Sequence, residues 1–102
     1  MKLSEAMRAG IAVTEPVRWL FFVYASDGQE VVASCALGAA ILGSACANRA
    51  EMLREYPALR RHVDGFHGST VLELIMFLDD NGIMTREQIA DFIAWLEDGG
   101  AL

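Results

Sequence analysis

Apolar residues recur at Leu3, Met7 and Ile11, one helical turn apart, so the chain opens on a predicted short amphipathic helix with Ser4 at its N-cap and Gly10 near its end. Pro16 then separates that helix from VRWLFFVY at 17 to 24, whose aromatic and β-branched residues favour a strand. Strand alternation would put Trp19, Phe21 and Val23 on one side and Leu20, Phe22 and Tyr24 on the other. Ser26-Asp27-Gly28-Gln29 contains the Asp-Gly pair that supplies a tight turn, and EVVAS resumes a strand-like run, so the two segments predict a β-hairpin. A two-stranded hairpin is marginal alone, and one with two apolar faces needs cover on both. Helices of the same chain or the strands of a second copy must supply it, which is the first argument for a homodimer.

Beyond the hairpin the pattern is helical. Residues 35 to 46, CALGAAILGSAC, form a run of small residues, and Arg49 to Tyr56 predict a helix ended by Pro57. ALRRHVDGFHG reads as an irregular connection. Thr70 and Glu73 have capping-box spacing ahead of VLELIMFLDD, whose stripe of Val71, Leu74, Ile75 and Leu78 is widened by Leu72, Met76 and Phe77 nearly around the helix. Such a helix is central or lies at an interface. Thr85 and Gln88 repeat the spacing, Ile89, Phe92, Ile93 and Leu96 make the inward stripe of the last helix, and Gly99-Gly100 end it. Trp95 falls off that stripe, either covering the flank of its own helix or contacting a partner.

The predicted architecture is an α+β single domain over residues 1 to 102: an N-terminal helix, a β-hairpin, a small-residue helix and a C-terminal helix pair. At 102 residues and 54% apolar content the chain can bury one modest core. Its net charge of −6 sets electrostatics against unaided binding to nucleic acid or to an anionic membrane. The charge is uneven, −1 over residues 1 to 48, +2 over 49 to 62 and −7 over 63 to 102, so Arg49, Arg54, Arg60 and Arg61 form a basic island beside an acidic C-terminal third. A solvated or internally paired surface accounts for it. The start, MKLSEAMRAGIAV, lacks a continuous apolar stretch of secretory length, which predicts a cytoplasmic protein.

Cys35 and Cys46 raise the question of redox or metal chemistry. On one helix they would share a face about 16 Å apart at 1.5 Å per residue, far beyond disulfide reach. Without a CxxC pair, buried inert thiols are the expectation. Val31 to Ala47 is a run of 17 uncharged residues, short for a bilayer and composed largely of alanine, glycine and serine, which contribute little transfer energy. The remaining reading is mechanical: small side chains let this helix approach another helix, or the hairpin, very closely.

His62, Asp64 and His67 form an HxDxxH sequence of residue types that ligate zinc or move protons. The spacing matches no established zinc pattern, a further ligand would have to come from elsewhere, such as Asp79 or Asp80, and polar loop residues are the competing reading. LDDNGIMTREQI resembles a calcium loop, but placing Gly82 at the sixth position puts Phe77 first and Gln88 twelfth, where carboxylates are required. TREQIADFI suggests the first helix of a helix-turn-helix, yet too few residues follow for a recognition helix. Ser34, Ser44 and Ser69 lack a nucleophile elbow, and no glycine-rich phosphate loop follows a strand.

LSEAMRAG at 3 to 10, CALGAA at 35 to 40 and LDDNGIMTREQIADFI at 78 to 93 together resemble segments of a loose group of short bacterial and phage proteins with no established activity. That resemblance covers about a third of the chain. It implies a shared fold and carries over no catalytic residue, and ILGSACANRAEMLREYPALRR departs from the compact polar segment that follows CALGAA in the group. The functional expectation is a small non-enzymatic interaction or regulatory protein without a cofactor, acting as a homodimer and toward a further protein partner, with no nucleic acid and no membrane. Trp19, Phe21, Phe22, Tyr24, Phe77 and Trp95 are its candidate interaction residues. The alternative is a small-ligand or metal-binding protein, or an enzyme, built on His62, Asp64 and His67 beside Cys35.

Overall fold

The computed structural model describes residues 1–63, 69–100 and 102. The fold is α+β. Helix α1 (Leu3–Ile11) leads to a two-residue strand β1 (Glu15–Pro16), then to the hairpin strands β2 (Phe22–Tyr24) and β3 (Val31–Ser34). Helices α2 (Ala36–Ser44) and α3 (Arg49–Glu55) follow, then a 3-10 turn at Pro57–Arg60 and the pair α4 (Val71–Asp80) and α5 (Arg86–Asp98).

The hairpin forms around the expected turn, with Gly28 at φ +74° and the Ala25 N–H donating to the Glu30 carbonyl. It is not two-stranded. β1 pairs in parallel with β3, giving the order β1-β3-β2 with β3 in the centre. Pro16 is tolerated because it lies on an edge, where its missing N–H breaks no ladder bond. The strand expected over residues 17 to 24 also contracts to Phe22–Tyr24, because the backbone bends through 18 and 19 and Trp19 sits at φ +72°. The predicted alternation of faces therefore fails. Trp19 and Leu20 both lie exposed, whereas Phe21 and Phe22 are both half-buried against the core.

The small-residue helix packs as its composition requires. A Cβ on Gly43 would overlap the Ala6 carbonyl, one on Gly10 would overlap the Ala39 carbonyl, and one on Gly38 would overlap the Phe21 carbonyl. α2 is thus pressed against α1 on one side and against the strand-leading segment on another. The helix is shorter than CALGAAILGSAC: Cys35 is its N-cap, and Ala45 at φ +60° turns the chain away before Cys46. Both cysteines are free thiols.

Both expected capping boxes are present, Thr70 with Glu73 and Thr85 with Gln88. The N-cap of α1 differs from expectation. Lys2 occupies that position, with its N–H donating to Glu5 Oε1 at 2.8 Å, and Ser4 lies buried inside the first turn. Leu3 and Met7 of α1, Leu37 and Ile41 of α2, Met52 of α3, Ile75 of α4 and Ile89 and Ile93 of α5 meet in one core. At its edge, Lys2 pairs with Asp98 at 3.5 Å, Arg8 pairs with Asp91 at 2.8 Å, and the Leu3 N–H donates to Glu97 Oε2 at 3.1 Å, so the acidic last helix meets the start of the chain. Arg49, Arg54, Arg60 and Arg61 are all exposed. Among the described residues no helix is long and apolar enough to cross a membrane.

Candidate functional site

Three residues stand against the helix dipole, and all are explained by tertiary partners. Acidic side chains are unfavourable in the last turn of a helix and cations in the first. Asp79 and Asp80 end α4, and Arg86 begins α5.

Asp79 is buried, at 7% exposure, and its Oδ2 accepts the Ala36 N–H at 2.7 Å, so it caps the N-terminus of α2. There the dipole favours an anion. Asp80 Oδ1 accepts the Trp19 N–H at 3.1 Å and holds the chain in its left-handed bend. Arg86 is 5% exposed and reaches across to the sheet. Its Nη1 donates to Thr14 Oγ1 at 2.9 Å and to Ser34 O and Oγ at 3.3 Å, and its Nη2 donates to the Thr14 carbonyl at 2.8 Å. Thr14 Oγ1 lies 2.7 Å from the Gly10 carbonyl, to which it donates, and 2.9 Å from Ser34 Oγ. One guanidinium thereby ties the α1–β1 connection, the central strand and α5 together.

Burial pushes the Asp79 carboxyl above its ordinary range, against the lowering effect of the Ala36 N–H, with Asp80 raising it further and Arg86 and Arg18 drawing it down. For a carboxyl raised on folding, the cost of carrying charge is absent below the unfolded value and grows as pH rises through the folded one. Asp79→Asn keeps an acceptor for the Ala36 N–H and removes that charge. The variant is therefore expected to melt at or above the wild-type temperature at neutral pH, with its advantage shrinking as pH falls toward about 4 and absent below it; paired thermal melts across that range check it, and a variant much less stable at neutral pH would refute it. Burial likewise raises the Cys35 thiol, whose Sγ accepts the Gly38 N–H at 3.4 Å, with Asp79 and Asp80 adding to the shift. It is held as a thiol, in keeping with an inert core cysteine.

A cavity of about 560 Å³ opens between Pro16–Trp19 and the α4–α5 turn, lined by Arg18, Trp19, Asp79 and Arg86 among others. Gly82, at φ +65°, leaves room for the Arg18 guanidinium, which a side chain there would strike. Sequence reasoning missed Thr14, Arg18 and Arg86 altogether, raised Ser34 only to set it aside as a nucleophile, and raised Asp79 only as an added metal ligand. The signal available was the wrong-signed charge at two helix ends.

The sequence-level candidates are placed as follows. Trp19, Tyr24, Phe77 and Trp95 are exposed, Trp19 at 71% and Phe77 at 56%. Trp19 and Leu20 meet Met76 and Asp80 across a small second cleft, and Phe77 stands one turn before Asp80 on the same helix. Trp19, Leu20, Met76 and Asp80 therefore form one neighbourhood at the strand-leading bend, with Phe77 on the same helix as the last two. Trp95 is separate, stacked on Phe92 with ring centroids 6.2 Å apart on α5. His62 bridges to Thr70, whereas Asp64 and His67 lie outside the described residues. Among the described residues no group of three or more His, Cys, Asp or Glu side chains is placed to hold a metal ion. No family model, curated protein or solved structure matches the chain.

Proposed function

We propose that this chain is a small cytoplasmic protein-interaction module, non-enzymatic, that pairs with a second copy of itself through the face around Trp19, Leu20 and Phe77. The observation that carries the reading is three large apolar side chains, all more than half exposed: Trp19 and Leu20 lead into β2, whose outer edge is unpaired among the described residues, and Phe77 lies on α4, whose Met76 and Asp80 share a cleft with Trp19 and Leu20. Large apolar side chains gain about 1.5 to 3 kcal/mol each on full burial, so a contiguous set of them favours association. The open edge of β2 also offers backbone groups to a second strand. Tyr24, exposed on that same strand, extends the surface.

Light scattering and native mass spectra of untagged protein are expected to give a dimer, and Leu20→Asp with Phe77→Asp a monomer of unchanged melting temperature. Both sites are exposed, so charge there acts on association rather than on the core. A wild-type protein that stays monomeric at high concentration would refute the proposal. The same spectra, recorded without chelator, test the alternative based on His62, Asp64 and His67: a bound metal mass would support it.

A further inference from the structure

We infer that the cavity between Pro16–Trp19 and the α4–α5 turn binds a small organic oxyanion, a phosphate ester or a carboxylate. The inference does not rest on the self-association reading, although Trp19 belongs to both surfaces. Its first support is the state of the two guanidinium groups that line the cavity. In an acidic chain with 14 carboxylates, neither Arg18 nor Arg86 has a carboxylate within ion-pair distance among the described residues. Arg86 is nine-tenths buried, is held only by neutral acceptors, and leaves its Nε without a hydrogen-bond partner. A buried cation held only by neutral groups lacks the anion that ordinarily offsets its loss of solvent.

The second support is the backbone around it. The cavity is lined by Thr85, Arg86 and Glu87 at the N-terminus of α5, a helix of 13 residues. The capping box satisfies the N–H groups of Thr85 and Gln88, while those of Arg86 and Glu87 have no hydrogen-bond partner among the described residues. Unpartnered N–H groups at the positive end of a helix dipole are the usual receptors of phosphate and carboxylate. Of the acidic residues in the wall, Asp79 holds Oδ2 on the Ala36 N–H and acts on both guanidinium groups only from beyond ion-pair distance, and Glu87 is exposed to solvent, so neither makes a direct ion pair with them.

The third support is size and wall chemistry. The volume lies within the range of small-molecule sites, about 300 to 1,000 Å³, and exceeds what a bare inorganic anion fills. Pro16, Val17, Met84 and Trp19 add apolar lining to the cavity that the arginines also border. The ligand is therefore an oxyanion with an apolar or planar remainder: the anion meets Arg18 and the start of α5, above the charge of Arg86, and the remainder rests on Trp19.

The test is a titration of phenyl phosphate, benzoate and inorganic phosphate into the full chain, read by calorimetry and by tryptophan emission in a Trp95→Phe background, where Trp19 is the sole fluorophore of its kind. Saturable binding of phenyl phosphate or benzoate is expected, tighter than that of inorganic phosphate. Arg18→Ala, at an exposed position, should keep the fold and weaken binding roughly tenfold to a hundredfold, the usual loss of one charge-assisted hydrogen-bonding group. Arg49→Ala, on the basic island, should leave binding unchanged. Absence of saturation with all three probes, or equal weakening by Arg18→Ala and Arg49→Ala, would overturn the inference. A monomeric wild type that still binds would leave it standing while removing the self-association reading.

Discussion

Replacing Gly43 with alanine is expected to lower the stability of this protein by about 3 kcal/mol and its melting temperature by roughly 12 to 24 °C, the reverse of what the substitution does in an ordinary helix. Alanine is the better helix former by about 1 kcal/mol, so on propensity alone the variant would gain. The tertiary contact decides the sign. A Cβ at Gly43 would overlap the Ala6 carbonyl, and the reciprocal overlap of Gly10 with the Ala39 carbonyl shows that the two helices meet backbone to backbone over more than one turn. Neither backbone can yield like a flexible side chain, so α1 must move off α2 and open the core around Met7 and Ile41. Gly99→Ala is the control: the nearest atom to its added Cβ is the Trp95 carbonyl at 3.4 Å, an ordinary contact, and a change of less than about 1 kcal/mol is expected. Thermal melts of the two variants beside wild type measure it. If Gly43→Ala matched Gly99→Ala, the close approach of α1 and α2 would be refuted.

Arg86→Met is expected to cost about 2 to 3 kcal/mol, because the neutral side chain leaves the buried Thr14 carbonyl without its 2.8 Å donor and unties α5 from β3. Removing the guanidinium also removes the penalty of burying its charge, which keeps the loss moderate. Arg86→Lys should recover under half of it, since an ammonium cannot reproduce the planar fork that meets Thr14 and Ser34 at once. Thr14→Val in combination separates the contributions. Urea unfolding of the single and double variants should give a coupling of about 1 kcal/mol or more between positions 14 and 86, the range for residues sharing one network. Additive effects would show that Arg86 acts through packing alone.

These two positions differ in how far the sequence exposes them. Glycine and alanine spaced through residues 36 to 44 announce a close approach before any partner is known, because small side chains lacking a strong hydrophobic stripe have few other structural uses. Arg86 carries no such announcement in the pattern of apolar residues. It reads as the first exposed residue of an amphipathic helix, and only its sign, positive at the positive end of the helix dipole, marks it as answering to something outside that helix. Asp79 and Asp80 have the same character at the far end of α4. The bend at Trp19 was illegible for another reason: strand propensity is a local average, and a single left-handed residue held by an aspartate 61 positions away overrides it.

By itself, the sequence determined the α+β class, the order of helices and hairpin, the Asp-Gly turn, both C-terminal capping boxes and the small-residue helix. Each is set by neighbours within a few residues, through backbone preference, side-chain period or a local hydrogen bond. Only the tertiary structure decided the third strand at Glu15–Pro16, the faces taken by the VRWLFFVY residues, the Thr14–Ser34–Arg86 network and the cavity beside it. Those depend on groups far apart in the chain meeting in space, and on the desolvation they suffer there, which no local pattern of apolar and polar residues encodes.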